Sequence, residues 1–168
     1  MNKSALRPRL LIVCGVSGSG KTTIGQEAAL QMGWAFADAD DFHPPENVAK
    51  MRAGIPLTTE DRFPWLQALR HWLEEKMEAG QSAVLACSAL RQVYREMLAK
   101  PGEPIHFVYL NGDFDTIYER LKARSGHYMP PELLRSQFEA LEPPTDAFTL
   151  DIRQPKQELV RQLLDWIG

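Results

Sequence analysis

Short apolar runs alternate with segments of helical periodicity along this chain. Five runs predict strands, at residues 10–14, 34–38, 82–88, 105–110 and 148–152. Six segments predict helices from apolar residues spaced three or four apart, at residues 22–32, 64–79, 89–100, 114–124, 132–141 and from residue 155 onward. Pro64 is expected to open the second of these helices, because proline is tolerated in a first turn. Trp65 is expected in the core.

This alternation predicts an α/β fold of three layers, with five parallel strands covered by helices on both faces. Right-handed crossovers place the carboxyl ends of parallel strands along one edge, where ligands bind. We expect a single domain over residues 1–168. The segments 39–63 and 125–131 are the least regular and are predicted to be functional loops.

The first predicted strand runs into a complete G-x-x-x-x-G-K-[ST] motif, which indicates a phosphate-binding loop. The motif consists of Gly15, Val16, Ser17, Gly18, Ser19, Gly20, Lys21 and Thr22. Its glycines allow backbone N–H groups to face an anion at a helix N-terminus. We expect Lys21 to contact the β- and γ-phosphates of a nucleoside triphosphate and Thr22 to bind Mg²⁺. The loop alone does not distinguish a switch, a motor and a kinase.

Acidic side chains follow the second predicted strand, at Asp38 and Asp40. Alternate residues of an extended segment share a face, so both carboxylates can point toward the phosphate loop. We assign Asp40 to orienting an acceptor hydroxyl and taking its proton, and Asp38 to the metal. The alternative is an ordinary solvated acidic turn.

Basic side chains are grouped where a small anionic acceptor would bind, at His43, Lys50, Arg52, Arg62 and Arg91. Ordinary surface charge is the alternative for each of them. Arg120 and Arg124 lie four residues apart, on one face of a predicted helix. They would suit a lid that neutralises phosphate charge, and a solvated helix face is the alternative.

Composition narrows the possible functions. The chain has 168 residues, 44% of them hydrophobic, so disorder is not expected. Its net charge of −3 gives no basic field for nucleic acid. Two cysteines fit no metal or disulfide framework and favour a reducing compartment. No targeting or membrane-spanning segment is apparent, and we expect a cytoplasmic protein.

Several blocks together identify a resemblance to the small P-loop gluconate kinases, relatives of shikimate kinases. They are GVSGSGKTT (15–23), DADDFHPPENVAKMRAGIPLTTEDRFPWL (38–66), CSALRQVYR (87–95), YLNGDFDTIYERLKARSGHYMPPELLRSQFEALEPP (109–144) and DIRQP (151–155). The block at 38–66 is far more specific than the phosphate loop. Ala39, Thr59 and Arg153 depart from residues that are usual in that family.

The resemblance implies ATP- and Mg²⁺-dependent phosphorylation of D-gluconate at its terminal hydroxyl, in carbohydrate metabolism. It implies an acceptor segment near 39–63, a mobile lid near 120–131 with Arg120 and Arg124 on the phosphates, and a homodimer. It assigns the sugar acid to Asp40, His43, Lys50, Arg62, Arg91 and Gln137. It assigns the nucleotide to residues 15–22 with Thr23, Arg120, Arg124 and Arg153, and Mg²⁺ to Thr22 and Asp38.

Two other functions are compatible with the phosphate loop. One is a kinase for another acceptor, such as shikimate, a nucleotide or a different sugar acid. The other is a module that binds a nucleotide and changes shape without transferring phosphate. The guanine-selective N-K-x-D motif is absent, which argues against a GTPase.

Overall fold

Five parallel strands form one sheet in the order β2-β3-β1-β4-β5. The structure is a computed structural model that describes residues 8–123 and 131–168. The strands are β1 (Leu10–Cys14), β2 (Ala35–Asp38), β3 (Ala83–Ala86), β4 (Ile105–Asn111) and β5 (Phe148–Asp151). All four pairings of neighbouring strands are parallel. The predicted five-stranded parallel sheet is confirmed.

Helices follow each strand, as a parallel sheet requires. They are α1 (Lys21–Met32), α2 (Pro45–Arg52), α3 (Thr59–Glu78), α4 (Gln92–Leu98), α5 (Phe114–Ala123), α6 (Pro131–Ala140) and α7 (Lys156–Ile167). No helix within the described ranges combines the length and apolar character needed to cross a membrane. The predicted lid falls largely on residues 124–130, which lie outside the described residues.

The alternation of side chains along β1 divides the core into two layers. Leu11 and Val13 pack with α1, α5, α6 and α7 on one face of the sheet. Leu10 and Ile12 pack with α3 and α4 on the other face. All five residues of β1 are buried, as expected for a central strand covered on both sides. The three-layer prediction is therefore confirmed.

The start of α3 differs from the prediction, because the helix begins at Thr59 and not at Pro64. The Thr58 hydroxyl accepts a hydrogen bond from the Asp61 N–H at 3.1 Å. The Asp61 carboxylate accepts one from the Thr58 N–H at 2.9 Å. This capping box satisfies two free donors of the first turn and sets the helix start. Pro64 lies inside the helix, where its missing N–H costs one backbone hydrogen bond.

The segment 39–63 was expected to be irregular, and this expectation is wrong. Ala39–Phe42 form a 3₁₀ turn capped by the Asp38 side chain. Residues 45–52 form α2, with a proline in its first turn, and residues 59–63 belong to α3. The helix predicted from residue 89 also begins later, because Ala89 has a left-handed backbone with φ of 43°.

Gly112 marks a close approach between the ends of β4 and β5. A Cβ at this position would lie 2.4 Å from Ile152 Cδ1 and 2.5 Å from Ile152 Cγ1. Ile152 is fully buried. Any larger residue at position 112 must therefore displace a core side chain beside the carboxyl edge of the sheet.

We predict that Gly112→Ala lowers the free energy of unfolding by about 1–3 kcal/mol through overpacking. Ile152→Ala removes both Cδ1 and Cγ1, so the same substitution should cost less in that background. Chemical denaturation of the two single variants and the double variant measures this coupling. Equal costs in both backgrounds would show that Ile152 is not the obstacle.

Candidate active site

The phosphate loop connects the end of β1 to the start of α1. The Gly15 N–H donates to the Ser88 carbonyl at 3.3 Å, which ties the loop to the end of β3. Gly18 has a φ of +82°, and a Cβ there would lie 2.7 Å from a Leu121 side-chain carbon. Glycine is therefore required both by the backbone conformation and by the packing of α5. The predicted residues 15–23 form one continuous loop and first helical turn.

Lys21 is half-buried at the first position of α1. Its ammonium donates to the Val16 carbonyl at 3.1 Å, so the side chain folds back across the loop. Burial lowers the pKa of Lys21, and the carboxylates of Asp40 and Asp38 oppose this shift. The three charged side chains thus form one electrostatic cluster, in which a cation lies beside two carboxylates.

Asp38 connects the phosphate loop to the turn after β2. The Thr22 hydroxyl donates to Asp38 Oδ2 at 2.7 Å. The Asp40 N–H donates to Asp38 Oδ1 at 2.9 Å. Both carboxylate oxygens are engaged, so Asp38 fixes the α1 N-terminus and the acidic turn relative to each other. The extended geometry expected for residues 38–40 does not occur, because Asp40 lies in the 3₁₀ turn.

The surroundings of the Asp40 carboxyl raise its pKa, which favours its accepting a proton. Partial desolvation raises the pKa of Asp40, the Asp38 carboxylate raises it further, and Lys21 acts in the opposite direction. A carboxylate with a raised pKa is a stronger base than an ordinary aspartate. Asp40 is therefore a chemically suitable group to receive a hydroxyl proton beside the phosphate loop.

An oxygen-rich metal site is compatible with the residues at the loop. The Thr22 hydroxyl and the Asp38 carboxylate are hard oxygen donors of the kind that Mg²⁺ prefers. Over residues 8–123 and 131–168, no cluster of three or more His, Cys, Asp or Glu side chains could hold a metal ion. Mg²⁺ is usually held by one or two protein groups together with substrate phosphates.

The wall beside the acidic turn is built by an aromatic pair. The rings of His43 and Trp65 are stacked, with centroids 4.4 Å apart and an interplanar angle of 9°. The Trp65 indole N–H donates to the Ala39 carbonyl at 2.7 Å. Trp65 is 2% exposed, so its predicted place in the core is confirmed. Trp65 thus contacts both His43 and Ala39, so it fixes the position of the His43 ring relative to the turn that contains Asp40.

The predicted basic residues divide into paired and less restrained groups. Lys50 forms an ion pair with Asp61, with contacts of 2.8 and 3.0 Å. Arg62 donates to the Leu57 carbonyl at 2.7 Å and lies over a tyrosine ring. Arg91 is exposed at the N-cap of α4, and Arg52 is exposed at the end of α2. Lys50 is thus the basic residue whose charge is most directly compensated.

An open pocket of about 330 Å³ adjoins the phosphate loop on the side away from the acidic turn. Its lining includes Gly18, Thr23, Arg120, Arg153 and Pro155. The Arg120 guanidinium donates to the Ile152 carbonyl. Arg153 forms an ion pair with Asp151 at 2.7 Å. Arg120 and Arg153 therefore border the same pocket.

Arg124 was assigned to the phosphates together with Arg120. It lies outside the described residues, so its assignment stays a prediction.

Comparisons with known proteins show similarity to kinases over most of the chain. A family model described as shikimate kinase matches residues 17–167. A gluconokinase from Gluconobacter oxydans is 49% identical over 141 residues, covering 84% of this chain and 79% of the relative. The thermoresistant gluconokinase of Escherichia coli is 41% identical over 162 residues, covering 94% and 93%. The chain belongs to the gluconokinase family.

A solved structure extends this similarity to three dimensions. The crystal structure of a gluconokinase from Sinorhizobium meliloti 1021 superposes with a TM-score of 0.84 at 42% identity. The match covers 94% of this chain and 90% of that chain. The parallel sheet and the arrangement of its helices are therefore those of a solved gluconokinase.

Gln137 contacts the phosphate loop, which the sequence did not predict. The Ser17 N–H donates to Gln137 Oε1 at 2.7 Å. The Gln137 amide donates back to the Ser17 hydroxyl at 2.9 Å. The side chain that was assigned to the sugar acid therefore holds the phosphate loop. It joins α6, which follows the predicted lid, to that loop.

Asn47 is a further residue that sequence reasoning missed. It is 3% exposed on α2 and contacts both His43 and the Asp61 carbonyl. An asparagine in a polar helical segment is ordinarily exposed, so no sequence signal distinguished it.

We predict that Gln137→Ala raises the KM for ATP about three- to tenfold, because two hydrogen bonds that shape the phosphate loop are lost. The KM for the acceptor should change less than twofold. Gln137→Glu keeps the accepting oxygen but places a carboxylate beside the triphosphate, so it should raise the KM for ATP more than Gln137→Ala does. Steady-state kinetics with each substrate varied in turn gives both constants. A larger effect on the acceptor KM would place Gln137 in the acceptor site.

Proposed function

We propose that this protein transfers the γ-phosphoryl group of ATP to the terminal hydroxyl of D-gluconate, giving 6-phospho-D-gluconate. The observation that carries the proposal is the hydrogen bond from Thr22 to Asp38, 2.7 Å long. It brings the end of the phosphate loop against a turn that presents a second carboxylate, Asp40. Relatives named gluconokinase at 41–49% identity support the choice of acceptor.

The nucleotide is bound by the loop and the adjoining pocket. Backbone N–H groups of residues 15–22 and the Lys21 ammonium surround the β- and γ-phosphates. The base and ribose occupy the pocket beside Pro155 and Arg153. Arg120 borders this pocket and is proposed to contact the phosphates, and Arg124, four residues later in the sequence, is proposed for the same role.

Mg²⁺ would be held by the Thr22 hydroxyl and, directly or through water, by Asp38. When bound, it would neutralise charge on the phosphate oxygens. The hydrogen bond of 2.7 Å between these two side chains supports the assignment, because it brings two hard oxygen donors together.

The acceptor lies between the acidic turn and the aromatic wall. Asp40 orients the terminal hydroxyl toward the γ-phosphorus and accepts its proton as the new P–O bond forms. His43 and Arg62 contact oxygens of the sugar acid, and Arg62 and Arg91 supply positive charge for its carboxylate. Lys50 does not contact the acceptor in this proposal. It pairs with Asp61, which caps the start of α3, the helix that carries Trp65.

The cellular context extends this proposal. We expect a cytoplasmic homodimer, as the resemblance to gluconate kinases implies. Neither nucleic acid nor a membrane is required for the proposed reaction.

The acceptor is tested by incubating the protein with ATP, Mg²⁺ and single candidate acceptors. We predict 6-phosphogluconate from gluconate, detected through a coupled dehydrogenase, and no phosphorylation of shikimate or nucleoside monophosphates. If another acid reacts and gluconate does not, the chain is a kinase for that acid. ATP binding without transfer to any acceptor would indicate a binding module.

We predict that Asp40→Asn lowers kcat about 10²- to 10⁴-fold, because the amide cannot take the hydroxyl proton. Asp41→Asn is the matched control: Asp41 is the adjacent exposed residue and forms none of the described contacts to the loop. Its kcat should remain within threefold of the wild-type value. Circular dichroism checks that both variants fold. A kcat for Asp40→Asn close to wild type would remove Asp40 from its role.

A further inference from the structure

Asn47 makes two hydrogen-bond contacts from one nitrogen atom. Its Nδ2 lies 2.8 Å from the Asp61 carbonyl oxygen and 3.2 Å from His43 Nδ1. The side chain is 3% exposed, so water does not compete freely for these contacts. A buried amide with both donor positions directed at protein atoms is a fixed element of the site.

The identity of the partners determines which ring nitrogen of His43 carries a proton. A backbone carbonyl can only accept, so the NH₂ end of Asn47 must face Asp61. The second hydrogen of that NH₂ group then points at His43 Nδ1, which must present a lone pair. In a neutral imidazole the proton is consequently on Nε2.

The surroundings of His43 favour the same neutral form. Protonation of Nδ1 would bring two donors face to face at 3.2 Å. Burial lowers the pKa of His43 to about 4, and the nearby Arg62 charge acts in the same direction.

The ring is also fixed in orientation. It stacks on Trp65, and Trp65 is bonded to the Ala39 carbonyl within the acidic turn. His43 Nε2 has no hydrogen-bond partner within residues 8–123 and 131–168, and it is not among their buried unpaired polar atoms. The Nε2–H group of His43 therefore reaches solvent, while the ring itself is held in place by Trp65 and Asn47.

We propose that Asn47 is a positioning residue that holds His43 as its neutral, Nε2-protonated tautomer, and that this N–H donates a hydrogen bond to an oxygen of the acceptor. The second half rests on the proposed function. The polyol and carboxylate oxygens of a sugar acid can all accept such a bond. A neutral donor orients the acceptor and leaves the proton-accepting role to Asp40.

The tautomer is tested without any substrate. Two-bond ¹⁵N–¹H correlation spectra of uniformly ¹⁵N-labelled protein at pH 7 distinguish the two neutral tautomers and the imidazolium. His43→Gln identifies the His43 signals by their disappearance. The proposal requires the neutral Nε2–H pattern in the wild-type protein. An Nδ1–H tautomer or an imidazolium would overturn it, whatever the acceptor.

Kinetics tests the hydrogen bond to the acceptor. Asn47→Ala should raise the KM for gluconate about five- to tenfold and leave the KM for ATP within twofold. His43→Gln and His43→Asn form a matched pair, since both lose the stacked ring. Only the glutamine amide reaches the position of Nε2, so His43→Gln should have a KM for gluconate at least threefold lower than His43→Asn.

The two experiments fail separately. Absence of gluconate phosphorylation by the wild-type protein would refute the proposed function, and the spectra would still decide the tautomer. The kinetic comparison would then use whichever acceptor reacts. Equal acceptor KM values for the two His43 variants would refute donation from Nε2. Thermal unfolding of Asn47→Ala checks that the fold survives, and the wild-type spectra decide the tautomer if it does not.

Discussion

The hydrogen bond between Thr22 and Asp38 is the constraint on which the site depends. Neighbouring strands of a sheet lie about 4.8 Å apart, and β3 separates β1 from β2. The ends of β1 and β2 are therefore about 10 Å apart. Helix α1 contacts both β3 and β2, and the Thr22 hydroxyl in its first turn donates to the Asp38 carboxylate at 2.7 Å. A phosphate-binding loop and an acidic turn thereby become one site.

The electrostatics of the site follow from that juxtaposition. Burial disfavours the charged forms of both Lys21 and Asp40, so it lowers the pKa of the first and raises that of the second. The attraction between the two residues opposes both shifts. Binding of a triphosphate with its metal would add charge of both signs to this cluster.

Sequence reasoning predicted the parallel sheet and the phosphate loop because both depend on local patterns. Buried strands such as residues 10–14 need continuous apolar runs, and the loop needs glycines at fixed spacing. The predicted start of α3 at Pro64 was wrong, because the capping box of Thr58 and Asp61 begins the helix at Thr59. The partners of Gln137 and Asn47 could not be predicted. Their contacts are long-range or depend on burial, which residue spacing does not encode.

The central claim is that the acceptor hydroxyl lies between Asp40 and the γ-phosphate. A crystal structure with a non-hydrolysable ATP analogue, Mg²⁺ and gluconate tests it most directly. The account predicts the terminal hydroxyl of gluconate within hydrogen-bond distance of the Asp40 carboxylate and in line with the γ-phosphorus. Gluconate bound with that hydroxyl directed away from Asp40, in the presence of an ordered triphosphate, would contradict it.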